Sequence, residues 1–187
     1  MKISLLKKQN YLSMPWKNGR GLTSEIAIFP AQSTVVENNF SWRLSSADIN
    51  ENGPFSYFPD CVRYLAIIEG SGIKLQFENE NQLLQQNSFI QFSGEEKIYS
   101  ELINGEIKDL NLIVKKNVHH VQFEIIDTPV TSIEKGTVII FVLEGFVMMQ
   151  QYQVEKFDTL IIDTKQNEND VSILPAANSR FIKITIS

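Results

Sequence analysis

The sequence predicts an all-β protein, and three observations carry that prediction. Short runs rich in Val, Ile and Phe are punctuated by Gly, Asn and Pro. Strict alternation recurs, as in Ile73, Leu75 and Phe77 against Lys74, Gln76 and Glu78, and a period of two places each set on its own sheet face. Sustained 3.6-residue periodicity is scarce. Many short strands with such punctuation form a sandwich or a barrel.

The elements follow in order. MPWKNGRGLTSEIAIFP (residues 14–30) opens on a glycine turn and continues as strand-like sequence. FSWRLSSADI (40–49) alternates, with Trp42, Leu44 and Ser46 on one face and Arg43, Ser45 and Ala47 on the other. In NGPFSYFPDCVRYL (52–65), Gly53-Pro54 and Phe58-Pro59 fix two bends before a strand opens at Arg63. Glu69-Gly70-Ser71-Gly72 separates VRYLAII from IKLQF, and LLQQNSFIQF follows. Asn104-Gly105 separates SELI from EIKDLNLIV, and suits a type I′ turn, whose two central residues need positive φ. Lys135-Gly136 precedes TVIIFVL, and Glu144-Gly145 precedes FVMMQQY.

A chain of 187 residues with 43% hydrophobic composition can bury a core without disulfides or metal. Seventeen basic against 22 acidic residues, a formal charge of −5, argue against nucleic acid as partner. The lone Cys61 cannot form an internal disulfide, and its bland reading is a buried spectator. The opening MKISLLKKQN lacks the apolar core of a signal peptide, and no stretch has the length of a membrane span. A cytoplasmic location is expected, with no membrane partner.

The chain also repeats a pattern. YLAIIEGSGIKLQF followed by LLQQNSFIQF resembles IIFVLEGFVMMQQY followed by VEKFDTLIID. In both, an apolar strand reaches Glu-Gly, a second strand follows, and a polar turn leads to a third. This resembles the cupin barrel, with Asn87 and Asp158 in the Asp position of its turn. A bicupin is expected: residues 1–118 form a first barrel with the ligand pocket, and 119–187 a second, smaller one. The N-terminal strand is a candidate to complete the latter. Many cupins bind metal through a His-x-His pair, a Glu and a later His. Here the two histidines, His119 and His120, are adjacent and point to opposite faces of any strand, so no metal and no cofactor are expected.

Four stretches carry polar residues that a plain core does not require. Lys17 and Asn18, beside Trp16, belong either to a packed glycine loop or to a pocket lip that recognises an anion or carbonyl. Arg43 is a rim ion pair or a carboxylate clamp. Arg63, near Phe55, Tyr57 and Phe58, is an anion clamp or a cation–π packing element. Asp109 and Asn111 share a face of KDLNLIV that lines a cavity or meets solvent.

Together, PWKNGRGLTSEIA, WRLSSADI, NGPFSYFPDCVRYL and DLNLIV resemble the HutD/Ves family in order and spacing. The resemblance implies a small cytoplasmic bicupin, a homodimer, tied to histidine utilisation or a stress response. It implies binding of a small anionic metabolite, a carboxylate of the formylglutamate type. The matched residues are Trp16, Lys17, Asn18, Trp42, Arg43, Ser45, Phe55, Phe58, Arg63, Asp109 and Asn111. Arg20 and Asp60 stand where the family carries glycine. The site expected for the ligand is Trp16, Lys17, Asn18, Trp42, Arg43, Ser45, Phe55, Arg63 and Asn111. Two further readings stay open: a metal-free hydrolase or isomerase with Asp109 as general base, and a partner protein with these polar groups on its surface.

Overall fold

A computed structural model describes residues 1–15, 21–118 and 120–187. The strands are β1 (Lys2–Leu6), β2 (Leu12–Pro15), β3 (Gly21–Phe29), β4 (Trp42–Ile49), β5 (Gly53–Pro54) and β6 (Cys61–Glu69). Then come β7 (Ile73–Gln76), β8 (Asn81–Leu84), β9 (Phe89–Ser93), β10 (Tyr99–Leu102), β11 (Ile107–Lys115) and β12 (Val121–Ile126). The last are β13 (Gly136–Glu144), β14 (Phe146–Met149), β15 (Tyr152–Glu155), β16 (Thr159–Thr164), β17 (Ile173–Pro175) and β18 (Arg180–Ile186). Among the described residues the only helix is the 3₁₀ turn Lys8–Asn10, and none is long and apolar enough to cross a membrane.

The strands divide between two compact units, Leu12–Asn117 and Met1–Tyr11 with Val118–Ser187. The N-terminal strand therefore belongs with the C-terminal unit, where β1 pairs antiparallel to β16. Polar contacts hold it there. Asp158, buried, accepts from the Lys8 backbone N–H at 2.9 Å and pairs with the Lys7 ammonium at 2.8 Å. The Tyr11 hydroxyl donates to the Phe157 carbonyl at 2.6 Å.

Each unit has two antiparallel sheets around its own apolar core. The unit 12–117 has a six-stranded sheet, β2-β3-β4-β11-β6-β9, and a four-stranded one, β5-β10-β7-β8. Its core draws Leu65, Ile67 and Ile107 from the first and Ile73, Leu75 and Leu84 from the second. The other unit has sheets β1-β16-β13-β18-β12 and β15-β14-β17, with Val138, Ile140, Val147, Leu160 and Phe181 in its core. This is the all-β architecture that alternation and turn chemistry predict, and it has the two-sheet form that the resemblance to cupins implies. Asn104 and Gly105 take the positive φ values, 54° and 103°, that their turn demands.

The repeat is visible in the backbone. The Asn87 N–H donates to the Ile67 carbonyl at 2.8 Å, and the Phe157 N–H to the Val142 carbonyl at 2.7 Å. Both donors have positive φ, 60° and 69°. The Ile67 and Val142 N–H groups in turn donate to the carbonyls of Ser88 and Asp158. Asn87 thus matches Phe157, and Ser88 matches Asp158. This corrects the expected match of Asn87 with Asp158 by one residue: the hydrogen-bond ladder sets the correspondence, and side-chain type had suggested another.

Candidate functional site

The site arises from an inversion of the usual pattern. In β11 the apolar Leu110, Leu112 and Val114 turn one way, while Asp109 and Asn111 turn into the unit's interior. In β4, Arg43 and Ser45 turn toward the cavity, and Trp42 and Leu44 are buried on the opposite face. The register stacks these side chains in rows across β4, β11 and β6: Ala47, Asp109, Ile67; then Ser45, Asn111, Leu65; then Arg43, Ile113, Arg63. One end of the interior is therefore packed with hydrocarbon and the other is polar. The polar end opens into a cavity of about 830 Å³, lined by Arg43, Ser45, Arg63, Asp109 and Asn111, with Phe55 and Phe58 as aromatic walls.

The two arginines differ in their circumstances. The Arg43 Nε donates to Glu25 Oε2 at 2.7 Å, and its Nη1 donates to Ser45 Oγ at 3.0 Å. Glu25 stands opposite Ser45 because a β-bulge interrupts β3 between Glu25 and Ala27. Arg43 is thus a buried ion pair whose charge is already balanced. Arg63 is only 3% exposed and makes no carboxylate contact among the described residues. Its guanidinium carbon lies 4.9, 5.5 and 5.1 Å from the ring centres of Phe55, Phe58 and Phe92. One Nη1–H donates to the Ser56 carbonyl at 3.1 Å, while the buried Nε has no acceptor among the described residues. Burial pulls its pKa down to about 10, partly offset by Asp109 and reinforced by Arg43, so it remains a cation at neutral pH.

Asp109 Oδ1 accepts from the Ala47 N–H at 2.7 Å. Burial pushes its pKa up to about 7, against the opposing effects of that hydrogen bond and of Arg63. Asn111 Oδ1 is buried and has no donor among the described residues. A buried donor and a buried acceptor without partners among the described residues, on two residues that line one cavity, are unusual in a folded protein.

Of the residues expected for the ligand, Arg43, Ser45, Phe55, Arg63 and Asn111 line this cavity. Trp42 does not: strand alternation turns it to the opposite face of β4, where it stacks on Phe29 at 6.0 Å. Trp16, Lys17 and Asn18, with Arg20 and His119, lie outside the described residues. The sequence reading passed over Glu25 and Phe92. Phe92 sits directly across from Arg63 in the β6–β9 ladder, a pairing visible only once the register is known. Cys61 is fully buried among Phe40 and Ile113, and burial raises its thiol pKa, so the thiolate is disfavoured. Among the described residues no cluster of three or more His, Cys, Asp or Glu side chains is placed to hold a metal ion.

At the positions that match Arg63 and Asp109 the second unit is apolar. From the matched residues Ile67 and Val142, the ladder places Val138 where Arg63 stands and Phe181 where Asp109 stands. Both belong to that unit's apolar core.

The model of the HutD family matches residues 8–179. The chain belongs to the HutD family. A relative from Pseudomonas putida, an uncharacterised 21.2 kDa protein from the hutC 3′ region, is 35% identical over 148 residues, covering 78% of this chain and 76% of its own. Protein Ves of Escherichia fergusonii is 32% identical over 132 residues, covering 70% of this chain and 67% of its own. The solved structure of HutD from Pseudomonas fluorescens SBW25, in a formate condition, superposes with a TM-score of 0.86 at 30% identity, with both chains fully covered.

Proposed function

We propose that this HutD-family chain binds a small anionic metabolite, a carboxylate of the formylglutamate type, in the cavity of the 12–117 unit. The observation that carries the reading is Arg63. It is a cation held by three aromatic rings, and among the described residues its buried Nε has no acceptor and no carboxylate forms an ion pair with it. A ligand carboxylate supplies the missing acceptor, and a ligand N–H or O–H supplies the donor that Asn111 Oδ1 lacks. Arg43 contributes by fixing Ser45 rather than by clamping the anion, since Glu25 already neutralises it.

Binding without turnover fits a regulatory role in histidine utilisation or a stress response, performed by a cytoplasmic homodimer. Sedimentation velocity tests the dimer. Thermal-shift and calorimetric screens with formylglutamate, urocanate, glutamate and formate test the ligand. At least one acid should raise the melting temperature, and Arg63→Met, folded by circular dichroism, should lose that response. No shift from any of the four removes the proposal.

A second reading has its own observation. A buried carboxyl titrating near pH 7 and facing a cavity is suited to general-base work. It predicts consumption of one of these acids by NMR, abolished in Asp109→Asn.

A further inference from the structure

The charges facing Asp109 can be paired off almost completely. On its own strand Lys108 forms an ion pair with Asp48 of β4. From β4 comes Arg43, neutralised by Glu25 of β3. Glu51, after β4, lines the same cavity and holds an interaction of its own. From β6 comes Arg63, which makes no direct ion pair with Asp109. Among the described residues, the inner end of the cavity thus presents a guanidinium with no ion-pair partner and a buried carboxyl.

We infer that the cavity takes up its carboxylate together with one proton, which resides on Asp109. This rests on the carboxylate-binding reading above. Two ionised carboxylates in one low-dielectric site repel strongly, and such a pair resolves by keeping one of them protonated. Asp109 is the one able to accept: it is a buried carboxyl whose Oδ1 is held by the Ala47 N–H, so the proton goes to Oδ2. The proton comes from solvent, and no bond in the ligand forms or breaks. Protonated Asp109 gains an O–H donor, so the site meets the anion with a fixed cation and a neutral acid. Burial already favours the protonated form near neutral pH, so little free energy is needed to complete the transfer. The second unit, with valine and phenylalanine at the two positions, has neither group.

The test is calorimetry on the full chain with formate and with formylglutamate, from about pH 6 to about pH 9, in buffers of low and high ionisation enthalpy. Affinity should fall roughly tenfold per pH unit once pH exceeds about 7, with uptake approaching one proton per site. Asp109→Asn should bind with a flat pH profile and no uptake. A pH-independent affinity in the wild type, or the same slope in Asp109→Asn, overturns the inference while leaving carboxylate binding intact. If neither acid binds at any pH, both ideas fall. Should Asp109→Asn not fold, carbon-13 NMR of the wild-type Asp109 carboxyl decides. Its titration midpoint should rise when formate saturates the site, and an unchanged midpoint overturns the inference.

Discussion

Replacing Asp109 with asparagine should remove a pH dependence from the stability of the unit that holds it. The carboxyl has an ordinary pKa of 3.8 and is held up to about 7 by burial. Below about pH 4 it is protonated in both folded and unfolded chains. Between about pH 4 and about pH 7 the unfolded chain releases the proton and the folded chain keeps it, so stability falls as pH rises. The fall levels off above about pH 7, where both forms are ionised. The full gap is about 3 pH units, each worth roughly 1.4 kcal/mol, giving a ceiling of about 4 kcal/mol. The share lost between about pH 5 and about pH 8 is roughly 2.5 kcal/mol, or about 5–10 °C in Tm for a chain of this size. The substituted amide keeps a carbonyl oxygen to replace Asp109 Oδ1, which accepts from the Ala47 N–H at 2.7 Å, so the change isolates the charge. Urea and thermal unfolding, followed by tryptophan fluorescence at both pH values, measure it; both tryptophans of the sequence fall between residues 12 and 117. The stability difference between variant and wild type should shift by that amount in favour of the variant at the higher pH. An equal difference at both pH values would refute the reasoning.

Three further outcomes are expected. Glu25→Gln leaves the nearly buried Arg43 without its charge partner and should destabilise by about 3 kcal/mol, measured by urea unfolding. Asp158→Ala removes the acceptor of the Lys8 N–H and the partner of Lys7. It should speed hydrogen exchange in β1 while leaving β11 protected, as mass spectrometry of peptides can show. Gly70→Ala forces a side chain onto φ +96° with its Cβ 2.5 Å from the Glu106 carbonyl oxygen. It should lower Tm by more than the corresponding change at Gly53, where a Cβ meets nothing within 4 Å.

The fold was legible because sheet periodicity and turn chemistry are local. Alternation alone placed Arg43 with Ser45 and Asp109 with Asn111 on shared faces, and it also placed Trp42 on the other side of β4. The family resemblance drew Trp42 into the site, but the pleat keeps adjacent residues on opposite faces. What local pattern could not supply was pairing at a distance. The neutralisation of Arg43 depends on a bulge in β3 that sets Glu25 across from Ser45. Of the open alternatives for Arg63, anion clamp or aromatic packing, the second is visible: three rings hold the guanidinium, and its Nε has no acceptor among the described residues. The N-terminal strand was a candidate to complete the second barrel, and the closed sheet adds its partner, β16.

The most direct test of the central claim is a crystal structure of the full chain grown with formylglutamate. The account predicts a carboxylate within hydrogen-bond distance of Arg63 Nε, enclosed by Phe55 and Phe58, with a ligand donor on Asn111 Oδ1. Ligand density elsewhere, with no ligand oxygen at Arg63 Nε, would contradict it.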